Sequence, residues 1–257
     1  MRIDTSGIIR VGDGRGFVVA SARLARPYPG DDRRRWYRDR YVVTAAHCLP
    51  HIPTLSAAMS EGLDSTYPNL LGKLGEDPKT WAQCLFVDPV SDVALLGAAD
   101  PEIYEYNEEQ YGRYEALTDG VMPLRIGEAP DGSVTMEPQV PGSANAWMMS
   151  LDADLFRCRV THQDMGGGMW IWDGEQPIRG GMSGSPVWRD DGQVFGLVAI
   201  SSGGSYTVSR GMSLKDIADT LRQGGPNPIL ADCLPGWVLK GFAAELEAEA
   251  ADEEEAA

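Results

Sequence analysis

Apolar residues along this chain cluster in short runs, too short for buried helices and rich in β-branched and aromatic side chains. Gly16-Phe17-Val18-Val19-Ala20 and Tyr41-Val42-Val43-Thr44 are the clearest, each bounded by glycine or charged residues. Runs of this kind read as β-strands. The same pattern predicts further strands at residues 81–87, 93–96, 155–161, 169–172, 187–188, 194–200 and 206–209. Helical spacing appears late. Ser213 can cap a helix whose one face holds Leu214, Ile217, Ala218 and Leu221, and Gly224-Gly225-Pro226 stops it. Residues 102–119 are acidic and Tyr-rich, suited to a helical insert or a connection between two halves. Residues 243–257 are almost wholly Ala and Glu, with nothing to bury, and read as a frayed helix or disordered tail. Many short strands with one late helix predict an all-β fold, and no internal repeat is visible.

Composition narrows the function classes. The 257 residues, 43% of them hydrophobic, are enough for one large domain or two small ones, and the 30 Gly and 17 Pro favour strands and turns. The net charge is −16, and seven of the acids lie between Glu245 and Glu255. Such a polyanion is repelled by nucleic-acid phosphates and anionic lipid, so neither nucleic acid nor a membrane surface is an expected partner. One segment runs against this balance: residues 23–40 hold seven Arg and three Asp. They read as a solvated insert with locally paired charges, or as a loop that docks a partner. No apolar run approaches the roughly 18 residues needed to span a bilayer. The first twenty residues lack the apolar core of a secretory signal. Cys48, Cys84, Cys158 and Cys233 are too far apart for zinc-type pairs. Free thiols and a cytoplasmic location are the expectation.

Three segments carry candidate chemistry. YVVTAAHC puts His47 just after an apolar strand, SDVALL puts Asp92 at the start of another, and RGGMSGSPV sets Ser183 among glycines. A serine hydroxyl attacks a carbonyl only with a base to take its proton, and imidazole suits that task and the later return of the proton. A buried carboxylate fixes the imidazole tautomer. Glycines let a tight turn aim backbone N–H groups at the developing oxyanion, a role assigned to Gly181 and Ser183. This chemistry needs no metal or cofactor.

Other hydrolase plans fit badly. An α/β-hydrolase places its His after the Ser, whereas His47, His51 and His162 all precede Ser183. A subtilisin-type order through Asp4 lacks the required α/β periodicity. His47 and His51 are spaced like a metalloprotease pair, but Cys48 stands where Glu is needed and Pro50 breaks the helix, so His51 reads as a loop residue. His162, Trp170 and Trp172 read as structural strand residues. The run Gly12–Phe17 opens no helix and is followed by no Lys-Ser/Thr, so it reads as a strand turn and not a nucleotide loop.

The order His, Asp, Ser, with TAAHC, D-V-A-L-L and G-M-S-G-S-P, resembles the trypsin/chymotrypsin-like serine peptidases. Gly14-Arg15-Gly16-Phe17 and PLRIG at 123–127 are similar to bacterial members, and GGMSGSPV to glutamyl endopeptidases and high-temperature-requirement proteases. The resemblance covers about residues 8–222. It implies two packed six-stranded antiparallel β-barrels with a C-terminal helix: residues 1–115, 116–212 and 213–224, followed by an extension, 225–257. It implies a serine endopeptidase acting on protein or peptide through His47, Asp92 and Ser183. It also implies a specificity pocket with Pro177 at its base and walls from Val198, Ile200 and Ser201, suited to an apolar or small side chain. Met182 replaces the family's common Asp before the nucleophile, so activation by a new amino terminus is not available. Cys48 is the first cysteine, so the family's disulfide to an earlier one cannot form. Residues 164–181 are glycine-rich, and a partner that orders them is a possible control. The rival expectation is a catalytically silent scaffold with the same fold.

Overall fold

In the computed structural model, residues 3–24, 36–53, 65–89, 92–99, 108–127, 134–135, 143–163, 168–172, 174–199 and 230–232 are described. The predicted strand at 206–209, the helix at 213–224, Cys233 and the acidic tail lie outside them.

Six strands close the first barrel: β1 (Ile8–Val11), β2 (Gly14–Leu24), β3 (Trp36–Ala45), β4 (Thr66–Gly72), β5 (Thr80–Asp88) and β6 (Val93–Gly97). Their order around it is β1-β2-β3-β6-β5-β4, and the pairs are antiparallel. Closure leaves no free edge and turns one face of every strand inward. Phe17, Val43, Tyr67, Leu71, Leu95 and Leu96 are among the buried side chains. The β2–β3 ladder runs from Gly16↔Thr44 to Leu24↔Trp36. Seven residues of the predicted connection at 23–40 are therefore strand, at its two ends, and residues 25–35 remain between the two. Backbone hydrogen bonding carries this hairpin past the end of the apolar run, into sequence that charge alone marked as loop.

The helix expected within 102–119 is α1 (Glu108–Asp119). It lies on β5 and β3, and Tyr114 Oη donates to the Arg40 and Leu96 carbonyls at 2.9 and 3.3 Å. The segment after it joins the halves. Leu124 N donates to Val18 O on the first barrel, while Gly127 N and Val194 O, and Val194 N and Arg125 O, pair on the second.

The second half is a seven-stranded sheet among the described residues: β7 (Val134–Thr135), β8 (Ala144–Met149), β9 (Leu155–Gln163), β10 (Gly168–Trp172), β11 (Pro186–Trp188), β12 (Val194–Leu197) and β13 (Leu230–Asp232). Six follow the order β12-β11-β8-β9-β10-β13, and β7 pairs with β9 in parallel. Met149, Trp188, Val194 and Leu197 share one hydrophobic cluster with the first barrel, and a second cluster around Met148, Phe156, Phe195 and Val198 fills this sheet. That shared cluster joins the two halves.

Candidate active site

Strand pairing brings His47 to Asp92. β3 and β6 are antiparallel with Ala45 opposite Val93, so the end of one lies beside the start of the other. A single 3-10 turn, Ala46–Cys48, follows β3; Ala46 and Cys48 are buried and His47 between them faces out. Asp92 binds this turn three times. Its carbonyl accepts Ala46 N at 2.9 Å, its Oδ1 accepts His47 N at 2.8 Å, and its Oδ2 lies 2.6 Å from His47 Nδ1. Asp92 adopts φ 55°, a left-handed conformation that Asp tolerates better than most residues. The carboxylate is mostly shielded while the imidazole side chain is 46% exposed. Its hydrogen bond to Asp92 raises the His47 pKa above 6.5, against an opposing effect of partial burial and with help from the nearby negative charge.

Ser183 sits where two tight turns meet. Met182 N donates to Arg179 O at 3.1 Å and Ser185 N to Met182 O at 2.9 Å. The third residues of these turns, Gly181 and Gly184, have φ 89° and 77°, a region in which a side chain is strained. A Cβ on Gly184 would overlap the Arg15 carbonyl oxygen, so the Ser183 turn lies directly on β2. Arg15 N donates to Ser183 O at 2.7 Å. A Cβ on Gly14 would fall 2.6 Å from Cys48 Sγ and 3.4 Å from Ser183 Cβ. Ser183 thus backs onto Gly14, and Gly14 onto the neighbour of His47. Among the described residues no hydrogen bond joins Ser183 Oγ to His47, and the amides of Gly181 and Ser183 have no protein acceptor.

The model of the trypsin-like peptidase domain matches residues 14–197, well over half of the chain. The chain belongs to this family. No curated protein matches it. Among solved structures it is similar to the MamO protease domain from Magnetospirillum magneticum in its apo form, with 10% identity, TM-score 0.45, and 94% of this chain and 97% of that one covered. It is also similar to Deg5 (15%, TM-score 0.40, 77% and 81%) and to the HtrA-type protease AlgW with a decapeptide (10%, TM-score 0.42, 95% and 65%).

Pro177 is exposed on the segment leading to the Ser183 turn. The Val198 side chain is buried in the second cluster; its backbone accepts Gly184 N at 2.6 Å and donates to Ser185 O at 2.9 Å. Ile200 and Ser201 lie outside the described residues. His51 is an exposed loop residue, its ring edge-on to Tyr67 at 5.0 Å. His162 lies on β9 opposite Met169. Among the described residues, no helix is long and apolar enough to cross a membrane, and no three His, Cys, Asp or Glu gather as metal ligands. Cys48, Cys84 and Cys158 are free and buried.

Sequence reasoning missed Arg15. It is buried, and its guanidinium donates to Met149 O at 3.1 Å and Ser150 O at 2.9 Å. The only signal in the chain was a cation within a glycine-rich strand start.

Proposed function

We propose that this chain is a serine endopeptidase with His47, Asp92 and Ser183 as its triad. The observation that carries the reading is the double attachment of Asp92 to His47, ring and amide, beside a glycine-bounded Ser183 turn. Ser183 Oγ attacks the peptide carbonyl carbon and passes its proton to His47, and the amides of Gly181 and Ser183 receive the oxyanion. Collapse breaks the C–N bond as His47 protonates the amine. Water, deprotonated by His47, then cleaves the acyl ester, returning the proton to Ser183. Among the described residues the two amides have no acceptor, which supports an oxyanion site open to substrate. Substrates are proteins or peptides, and a cytoplasmic setting fits three buried free thiols. Control by a partner acting on residues 164–181 belongs to the same reading, as does the division into barrels at 1–115 and 116–212.

One observation favours the silent scaffold: Ser183 and His47 share no hydrogen bond. Such bonds often tighten only when substrate is present. Labelling with a fluorophosphonate probe separates the two readings. Labelling of folded protein that vanishes in Ser183→Ala and after heat denaturation supports the peptidase. No labelling, with or without cell extract, supports the scaffold.

A further inference from the structure

We infer that Arg15 is a positioning residue for the oxyanion turn, clamping together the two walls between which Gly181 sits. The inference rests on the peptidase reading above and deepens it.

The starting point is an energetic mismatch. Arg15 is 5% exposed, and among the described residues no carboxylate pairs with it; its guanidinium partners are two backbone carbonyls. Taking a cation out of water for neutral acceptors is costly, and an apolar side chain of similar volume commonly serves a core as well or better. Burial correspondingly lowers the Arg15 pKa, although guanidinium stays charged. The cost points to a geometric task.

The partners define that task. Through its main chain Arg15 holds the Ser183 turn, its N–H donating to Ser183 O, while its carbonyl accepts Thr44 Oγ1 of β3 at 2.7 Å. Through its side chain it reaches the end of β8 in the second half, more than 130 positions along the chain. Gly181 lies between these two attachments. A Cβ there would stand 3.5 Å from Leu151 Cδ2 and 3.7 Å from Asp13 O. Leu151 directly follows Ser150, one end of the clamp, and Asp13 lies two residues before Arg15, the other end. The β8–β9 hairpin is a compact unit: Ser150 N donates to Asp154 O at 2.9 Å. A shift of Ser150 therefore carries Leu151 with it. The planar fork fixes both the distance and the direction of that wall, as a single-point ammonium cannot.

The test compares wild type, Arg15→Lys, Arg15→Met and Ser183→Ala on one peptide ester between about pH 6 and 10, with circular dichroism at each pH. Arg15→Met should lower kcat by about 10²-fold with KM nearly unchanged, because an ångström-scale misplacement acts on the transition state more than on binding. Arg15→Lys should recover much of kcat near neutrality. It should also acquire a new fall at alkaline pH, as a buried ammonium loses its proton while the dichroism stays native. A merely structural role would give neither the kcat-only loss nor the new alkaline limb. Wild-type kcat in Arg15→Met, a Lys profile superimposed on wild type, or loss of native dichroism in both variants would overturn the proposal. If wild type shows no Ser183-dependent turnover, the peptidase reading fails and the proposal falls with it.

Discussion

Asp92 holds His47 by two separate oxygens: Oδ1 takes the backbone amide at 2.8 Å, and Oδ2 faces ring Nδ1 at 2.6 Å. One carboxylate thus fixes both where the imidazole is attached and which way it points. The Nδ1 proton is committed to Asp92, which in the proposed triad leaves Nε2 as the acceptor for Ser183. Asp92→Asn keeps the shape but offers one NH₂ group that cannot accept from a donor. The expected result is a fall in kcat on the order of 10⁴-fold with the fold intact.

The same contact sets a pH profile. Asp92 raises the His47 pKa above 6.5, and only the neutral imidazole can take the Ser183 proton. Activity should therefore rise with pH through a midpoint above 6.5, and the midpoint should move down in Asp92→Asn. The linked stability has the opposite sense. A raised folded-state pKa stabilises the fold below the unfolded value near 6.5, and this is lost as pH climbs through the folded value. Titrating kcat/KM and imidazole proton resonances in both proteins checks the two directions; a midpoint unmoved by the substitution would contradict them.

Gly184 and Gly192 separate two costs that sequence alone confuses. Both have positive φ, 77° and 84°, but a Cβ at 184 collides with the Arg15 carbonyl while one at 192 meets nothing within 4 Å. Gly192→Ala should cost only backbone strain, about 1–3 kcal/mol, with activity retained. Gly184→Ala must push the Ser183 turn off β2 and should lose both activity and a far larger share of stability. Urea unfolding with parallel activity measurement distinguishes them.

Much of the site was legible because its signals are local. An apolar strand running into Ala-Ala-His-Cys, another starting at Asp92, and a serine between glycines each announce their geometry within a few residues. Elements built from long-range pairing were not. β4 carries Pro68 and Asn69, the latter at φ 53°, and its ladder with β5 is irregular between Tyr67 and Leu71, so no alternation survives. β8, Ala-Asn-Ala-Trp-Met-Met, has no β-branched residue and is a strand because β9 supplies its partner. Arg15 is the extreme case. Its meaning lies in two carbonyls on the opposite half, and nothing near it in sequence points there.

The thiols offer a check on packing around the site. Burial pushes Cys48 and Cys84 up to about 11, only partly offset at Cys48 by Thr44, and buried Cys158 is also raised. Thiolate is the reactive form, so all three should resist iodoacetamide in the native protein at pH 8 and react once it is unfolded. Rapid modification of native Cys48, read by mass spectrometry, would contradict the close approach of Gly14, Cys48 and Ser183.

Ser185 sits two residues from Ser183 and is fully buried, yet among the described residues its hydroxyl has no partner. Its backbone does the positioning, through Ser185 N to Met182 O and Val198 N to Ser185 O. A buried hydroxyl left unpaired forfeits its hydration without return, at a cost of about 1–3 kcal/mol. Ser185→Ala removes that oxygen, keeps both backbone bonds and adds no volume. The variant should be as stable as wild type or more so, by up to about 1 kcal/mol, with kcat/KM unchanged. Chemical denaturation and steady-state kinetics on the same preparation test this. A loss of stability would mean that the hydroxyl has a bound partner such as water; a loss of activity alone would give it a part in shaping the Ser183 turn.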